Sequence, residues 1–509
     1  MDFDRLNFVL SPARSRTVDI AIAASRAGWI GVFNAELDRD PDECSALLAR
    51  LVRFGGERIG LKLPALDDAW LALLRRAERP IDFVIVNGDD ADVEGVAALR
   101  ALSGKVVVET SAWSDRVADF ATVADAFWLK GHEAGGFVGE QTSFMLLRDA
   151  ARRTQAPLCM RGGINTDSAA AAIVGGAAGV VLDDQLLLLD ESPLKADWTG
   201  RLKRFSGVET IFCDGGAGAR HLRFWSPPGR TDARALAAEI ARNGAIEPQH
   251  AARLGWGEDA AGPLIPPLGQ DGAVAHAWAD RYGRTASALR AIEQAILDLP
   301  RRAAALNVLG ENAPLAQTHR TRFPIVQGPM THVSDRAPFI RAVAQGGALP
   351  MAAVSLMRGE KVKELLAECK ALAGDLSWGV GMLGFVPPET LADQRAALIA
   401  SRPDFAIIAG GRPDQAREME ASGIRTYLHV PSPVLLAQFV EQGSRSFIFE
   451  GRECGGHIGP LSSFVLWHVM TEALLAAKLA QEEAAKYQIL FAGGVHDAAS
   501  GAVAAVMAT

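Results

Sequence analysis

Phe449-Glu450-Gly451-Arg452-Glu453-Cys454-Gly455-Gly456-His457-Ile458-Gly459-Pro460-Leu461-Ser462-Ser463-Phe464 is the second appearance of a pattern that the chain first shows as LKGHEAGGFVGEQTSF, residues 129–144. Gly135, Gly136, Gly139, Ser143 and Phe144 match Gly455, Gly456, Gly459, Ser463 and Phe464 at one constant offset, and Phe137 stands where His457 does. A repeat of this length, one copy in each half of a 509-residue chain, predicts two related domains. Only the second keeps an ionisable side chain at the corresponding point.

Working outward from the first copy, short β-rich runs alternate with Ala/Leu-rich helical stretches, the signature of parallel strands joined by right-handed helical crossovers. Strands are expected at 7–10, 28–34, 59–63, 83–87, 106–109, 126–130, 157–161 and 179–182. Eight of them, each with a helical partner, predict a TIM-type (β/α)₈ barrel over residues 1–190, with an open doubly wound sheet as the alternative. Residues 191–315 break the rhythm. Ser226-Pro227-Pro228-Gly229 and the Pro-rich run 263–269 punctuate helical segments near 231–243 and 272–306, which reads as an α-rich connector that covers the first barrel or joins it to the second. A second series follows at 325–327, 349–354, 378–383, 405–409, 426–430, 446–450 and 488–492. The fold class is therefore α/β, tandem barrels, with the second, 316–509, truncated after strand seven. The run 175–188 that completes the first barrel has no counterpart after Val495, so the chain reads as part of a longer polypeptide.

Composition sets mild bounds. With 49% hydrophobic and 22% charged residues the chain can bury two large cores, and a net charge of −8 argues against a nucleic-acid partner. The five cysteines, Cys44, Cys159, Cys213, Cys369 and Cys454, are scattered and form no C-x-x-C pair. Neither a disulfide framework nor a structural zinc site is expected, no metal cluster of histidines is present, and a cytoplasmic location fits best. The N-terminus lacks a signal-peptide pattern and no apolar run is long enough for a bilayer, so membrane insertion is not expected.

In a parallel barrel the loops after the strands build the active site, and three motifs fall there. Gln327-Gly328-Pro329-Met330 follows the first strand of the second series: glycine lets backbone approach a planar ligand, proline stiffens the turn and methionine is polarizable. The same residues also make an ordinary strand-end turn. After strand six, Gly455 and Gly456 can turn backbone N–H groups toward an anion, and His457 can hold a substrate oxygen or exchange a proton near neutral pH. After strand seven, Gly493 and Gly494 precede a helix, a phosphate cradle in the making. Their counterpart in the first half is Gly162-Gly163-Ile164-Asn165, but strand eight there ends in Asp183-Asp184, whose charges would repel phosphate. Cys454 has no evident basic partner and reads as a packed residue. His429 is equally a pocket residue or a hydrogen-bonded structural one, and Met351, Met382, Leu383 and Phe385 either line an apolar channel or pack in the core.

PIVQGPM at 324–330, ECGGHIG at 453–459 and FAGGV at 491–495, on strands one, six and seven, together resemble the nitronate monooxygenase (2-nitropropane dioxygenase) superfamily, which includes flavin-dependent enoyl-thioester reductases of fatty acid synthesis. The resemblance implies an FMN-dependent oxidoreductase with His457 as catalytic residue and with Gln327, Gly328, Pro329, Met330, Gly455, Gly456, Gly493 and Gly494 near the flavin or its phosphate. It also implies NADH or NADPH as electron donor. Gly381 stands where nitronate-oxidising members often carry Asn, which favours an enoyl-thioester substrate over a nitronate. Wording such as RECGGHIGPLSSFVLW resembles the N-terminal region of large type I polyketide synthase-like proteins, implying a carrier-bound or small acyl thioester as substrate and downstream synthase domains as partners. The first barrel, with Phe137 in the histidine's place, then reads as a non-catalytic docking or dimerisation module.

Overall fold

The eight apolar runs of the first half pair side by side, all parallel, and the first closes onto the last through Phe8↔Val181 and Val9↔Leu182. In the computed structural model, which describes residues 5–216, 220–259, 262–456, 458–477 and 480–509, these strands are Phe8–Leu10, Ile30–Asn34, Ile59–Lys62, Ile81–Asn87, Ser103–Thr110, Ala126–Lys130, Leu158–Arg161 and Gly179–Leu182. Most are buried on both faces, which is why they read as continuous apolar runs rather than as alternating ones. Inward side chains fill the barrel: Phe8, Ile30, Val32, Phe83, Ile85, Val107, Trp128 and Val181 form one core, with Phe8 edge-on to Phe83 and Trp128 at 5.4 and 4.8 Å. This closed barrel belongs to a unit formed by Met1–Pro300 and His496–Met507; Arg301–Val495 with Ala508–Thr509 form the other.

The connector carries the expected helices, Thr231–Asn243, Ala275–Tyr282 and Thr285–Leu306. It also carries two strands that local sequence did not announce, Thr210–Cys213 and His221–Trp225, which pair antiparallel. His221–Trp225 pairs in turn with Gly136–Val138, setting Leu222 opposite Phe137. Phe137, at the histidine's place in the repeat, is thus a strand residue here, with the Arg220 guanidinium 4.1 Å from its ring centre. Leu222 and Phe224 pack on Leu236, Ile240, Leu254 and Ile265, so the three-stranded sheet has its own small core.

The second unit holds a seven-stranded parallel sheet in sequential order: Val326–Gln327, Leu349–Ala353, Gly379–Leu383, Phe405–Ala409, Arg425–His429, Ser446–Glu450 and Gln488–Ala492. Strands one and seven are its edges, so this is a TIM-type barrel truncated after seven strands. Leu349, Met351, Phe405, Ile407, Tyr427, Ile448 and Leu490 form its core. The helix after strand seven, Ala498–Met507, packs against Thr166–Val174 and counts with the first unit. Among the described residues no helix is long and apolar enough to cross a membrane.

Candidate active site

Because all seven strands of the second sheet run the same way, the turns that follow them share one rim, where barrels of this kind place their chemistry. The turn after strand six is anchored first. Gly451 N–H donates to Ala492 O at 2.9 Å, tying it to strand seven. Glu453 Oε2 accepts the Ser463 N–H at 2.8 Å and the Ser463 hydroxyl at 2.6 Å. The helix that starts there, Ser463–Ala476, has no side-chain cap of its own, so this carboxylate from the preceding loop supplies the missing acceptor at its positive end. Ser463 Oγ sits so close to both turns that a Cβ on Gly451 or on Gly493 would come within 2.2 Å of it. Gly493 therefore serves this clamp, at φ +122°, and Gly494 continues the left-handed turn at φ +73°.

The first unit repeats the clamp. Ser143 Oγ donates to Glu133 at 2.6 Å and contacts Gly162 O at 2.8 Å, and Ser143 N–H also points at the Glu133 carboxylate. The signal was in the repeat: Gly131 and Glu133 match Gly451 and Glu453 at the same offset as the glycines, and a residue pair kept where the histidine is lost marks loop shape rather than chemistry.

Beyond the clamp the two copies part. Gly455 and Gly456 are exposed, with nothing within 4 Å of where a Cβ would stand, and Gly456 has φ +98°. His457, the proposed catalytic residue, lies outside the described residues. Beside this loop His429 Nδ1 lies 2.8 Å from Glu450 Oε2, and the Cys454 thiol bonds to the same carboxylate. Burial and the Glu450 charge push the Cys454 thiol well above the usual range, which keeps it from being a thiolate nucleophile.

The Gln327–Met330 turn is tied to strands two and three. Gln327 Oε1 accepts the Met351 N–H at 3.2 Å, its Nε2 donates to Gly328 O, and Met330 N–H donates to Ser334 Oγ at 2.8 Å. Pro329 packs on Gly381 so closely that a Cβ there would lie 2.1 Å from Pro329 Cβ. Gly381 is thus the space that Pro329 needs, and any side chain at 381 would displace the turn. Met351 and Met382 are core residues, leaving Phe385 as the member of that apolar set exposed at the rim. Gly328, Gly455 and Gly456 all present bare backbone to open space, the feature a planar cofactor or its phosphate requires, so the residues present fit FMN; Gly493 contributes through the turn's shape.

The first barrel's rim is filled. Lys62 Nζ lies 2.9 Å from Glu36 and 2.5 Å from Glu109, Lys130 Nζ 2.9 Å from Glu36, and Arg161 2.8 Å from Glu109 and 3.0 Å from Asp183, all of them buried. Burial works against the Glu36 carboxylate, but Lys130, Lys62 and Arg161 outweigh it and hold its pKa far below the usual range. Burial, with Arg161 nearby, brings Lys130 down to about 8. Asp183 is therefore a paired charge rather than a free repellent. Over this network lies the connector: a Cβ on Gly135 would stand 1.9 Å from Pro267 O.

No protein-family model matches the chain, and no curated protein matches it. Among solved structures it is similar to FabK from Thermotoga maritima, at 18% identity over 60% of this chain and 96% of that one, with a TM-score of 0.48. Nitroalkane oxidase from Streptomyces ansochromogenes is 20% identical over 60% of this chain and 99% of its own, TM-score 0.44. The enoyl reductase domain of MlnA from the macrolactin biosynthesis cluster from Bacillus amyloliquefaciens is 12% identical over 58% and 95%, TM-score 0.45. The tandem-barrel architecture rests on the strand order of this chain itself.

Proposed function

We propose that the second unit is an FMN-dependent oxidoreductase acting on an enoyl thioester, with NADH or NADPH as electron donor and His457 as its acid/base or oxygen-binding group. The observation that carries this reading is the contrast within the repeat: the copy that keeps the histidine has open glycine faces beside it, and the copy that lost it has its rim filled by the chain's own residues. Bound FMN would supply the two-electron chemistry. Gln327–Met330, Gly455, Gly456, Gly493 and Gly494 would hold it, and the Glu453–Ser463 clamp would fix the strand-six and strand-seven turns against each other. His457 would hold the thioester carbonyl oxygen or hand a proton to the reduced carbon. A nitronate substrate is the second reading, and the packing of Pro329 into the space at Gly381 disfavours an Asn-like contact there. The filled rim supports a non-catalytic role for the first barrel, as docking or dimerisation module in a polyketide or fatty acid synthase.

Stopped-flow reduction by NADH or NADPH, followed by reoxidation with crotonyl thioester or with propyl-2-nitronate and oxygen, tests the assignment. Faster reaction with the thioester is expected. Rapid oxidation by the nitronate with no nicotinamide reaction would overturn it.

A further inference from the structure

The turn after strand seven of the first barrel, Gly162-Gly163-Ile164-Asn165, leads into the helix Thr166–Val174 and is the counterpart of the Gly493-Gly494 turn. Glycines ahead of a helix start present N–H groups that donate to an anionic oxygen. Here the oxygen comes from inside the chain. Asp271 Oδ1 accepts the Ile164 N–H at 3.2 Å, and the Gly163 N–H donates to the same carboxyl group. Asp271 is only 3% exposed, and its second oxygen, Oδ2, is buried without a partner. The backbone that carries it is seated as firmly: Gly269 N–H donates to Asp184 Oδ2 at 2.7 Å and Gln270 N–H to Glu133 O at 2.8 Å.

We propose that Pro266–Asp271 is a built-in ligand of the first barrel, with the Asp271 carboxyl group occupying the turn that would otherwise bind a phosphate or carboxylate oxygen. This holds whichever reaction the second unit catalyses. The groups that face Asp271 are Asp183 and Asp184 from the end of strand eight and Glu133 from the loop after strand six; Arg161 and Lys130 stand behind them. Burial first, then Asp183, Glu133 and Asp184, push Asp271 well above the carboxylate range. Taking up a proton eases the placing of this carboxyl group beside three other acids. Since the native pKa is raised, the seat is complete below the ordinary carboxyl value and weakens as pH rises through the raised one.

Hydrogen exchange on the full chain tests this. Asp271→Asn keeps an oxygen for the Ile164 N–H but has no proton to lose; it should protect residues 262–272 and Ile164 as wild type does in acid, without weakening at alkaline pH. Asp271→Ala should accelerate their exchange by about tenfold or more, the scale expected when buried N–H groups lose their acceptor. Added formate should restore part of that protection to Asp271→Ala, more so at lower pH, and leave wild type unchanged. Exchange in Asp271→Asn as fast as in Asp271→Ala, or no response of Asp271→Ala to formate, would overturn the proposal. Should Asp271→Ala not fold, the wild-type and Asp271→Asn pH profiles decide alone: parallel profiles would overturn it.

Discussion

Gly135 and Gly455 hold the same place in the repeat and meet opposite surroundings. Around Gly135 the chain has folded back on itself, with Pro267 O so near that no side chain fits; around Gly455 there is open space. The clamps beneath them, Glu133–Ser143 and Glu453–Ser463, are the same. The shared scaffold therefore fixes how the strand-six loop leaves the sheet, and what lies above it decides whether the rim can receive a ligand. The first barrel's rim is occupied by its own charges and its own connector. The second keeps bare glycine backbone.

The largest effect that sharpens this contrast is expected at the histidine position. His457→Ala should leave flavin bound and lower turnover by about 10²- to 10⁴-fold, the range for losing a positioned acid/base group. Phe137→Ala, its counterpart, should lower the stability of the first unit and leave the rate alone. Loss of flavin together with activity in His457→Ala would make that histidine structural.

The Asp271 seat in the first unit and the buried His319 in the second should also answer pH in opposite senses. His319, fully buried with Nε2 2.7 Å from the Tyr427 hydroxyl and Nδ1 without a partner, is brought down to about 4 by burial and the neighbouring Arg425. The unfolded chain takes up that proton near the ordinary imidazole value, so the second unit should lose about 3 kcal/mol as pH falls from 6.5 to 4. In the first unit Asp184 and Asp271 are raised by burial and their acidic neighbours, so the seat at residues 262–272 weakens as pH rises through those values, while Glu36 and Glu109, held low by their Lys and Arg partners, add an acid-side loss elsewhere in that unit. Peptide-resolved hydrogen exchange across pH separates the two, and His319→Gln should flatten the acid side alone. Weakening of residues 262–272 and of the strands around His319 on the same side would break the contrast.

A smaller effect is expected at the clamps. Glu133→Ala and Glu453→Ala each leave a helix start without its carboxylate acceptor, the Ser143 hydroxyl keeping Gly162 O, at a cost of about 1–3 kcal/mol, measured by denaturant titration. Only Glu453→Ala should also weaken flavin binding. Equal flavin affinity in the two variants would show that the clamp does not support the cofactor.

The barrel strands were legible in the sequence, because most are runs of apolar residues buried on both faces and bounded by turn residues, a local signal. The two connector strands were not. Thr210–Cys213 pairs antiparallel with His221–Trp225, and His221–Trp225 in turn with Gly136–Val138, a partner about eighty residues away along the chain that nothing near either strand announces. At the site, the glycines of the three turns were legible as exposed-backbone positions, and Gly328, Gly455 and Gly456 are open as such residues should be. Gly493 was read as cofactor-facing; its missing side chain also makes room for Ser463 Oγ, a contact visible only once strands six and seven are side by side. Asp271 carried no signal at all: a lone aspartate after a Pro-rich run gains its meaning from the turn it reaches across the fold.

The account turns on which rim takes the cofactor, and paired substitutions at the matched glycines test that most directly. Flavin content and affinity should be measured in Gly455→Val and Gly135→Ala beside the unaltered protein. One flavin per chain is predicted, lost in Gly455→Val without loss of stability because the added side chain enters open space, and retained in Gly135→Ala even as the first unit is destabilised. Two flavins per chain, or a flavin that survives Gly455→Val and disappears with Gly135→Ala, would contradict it.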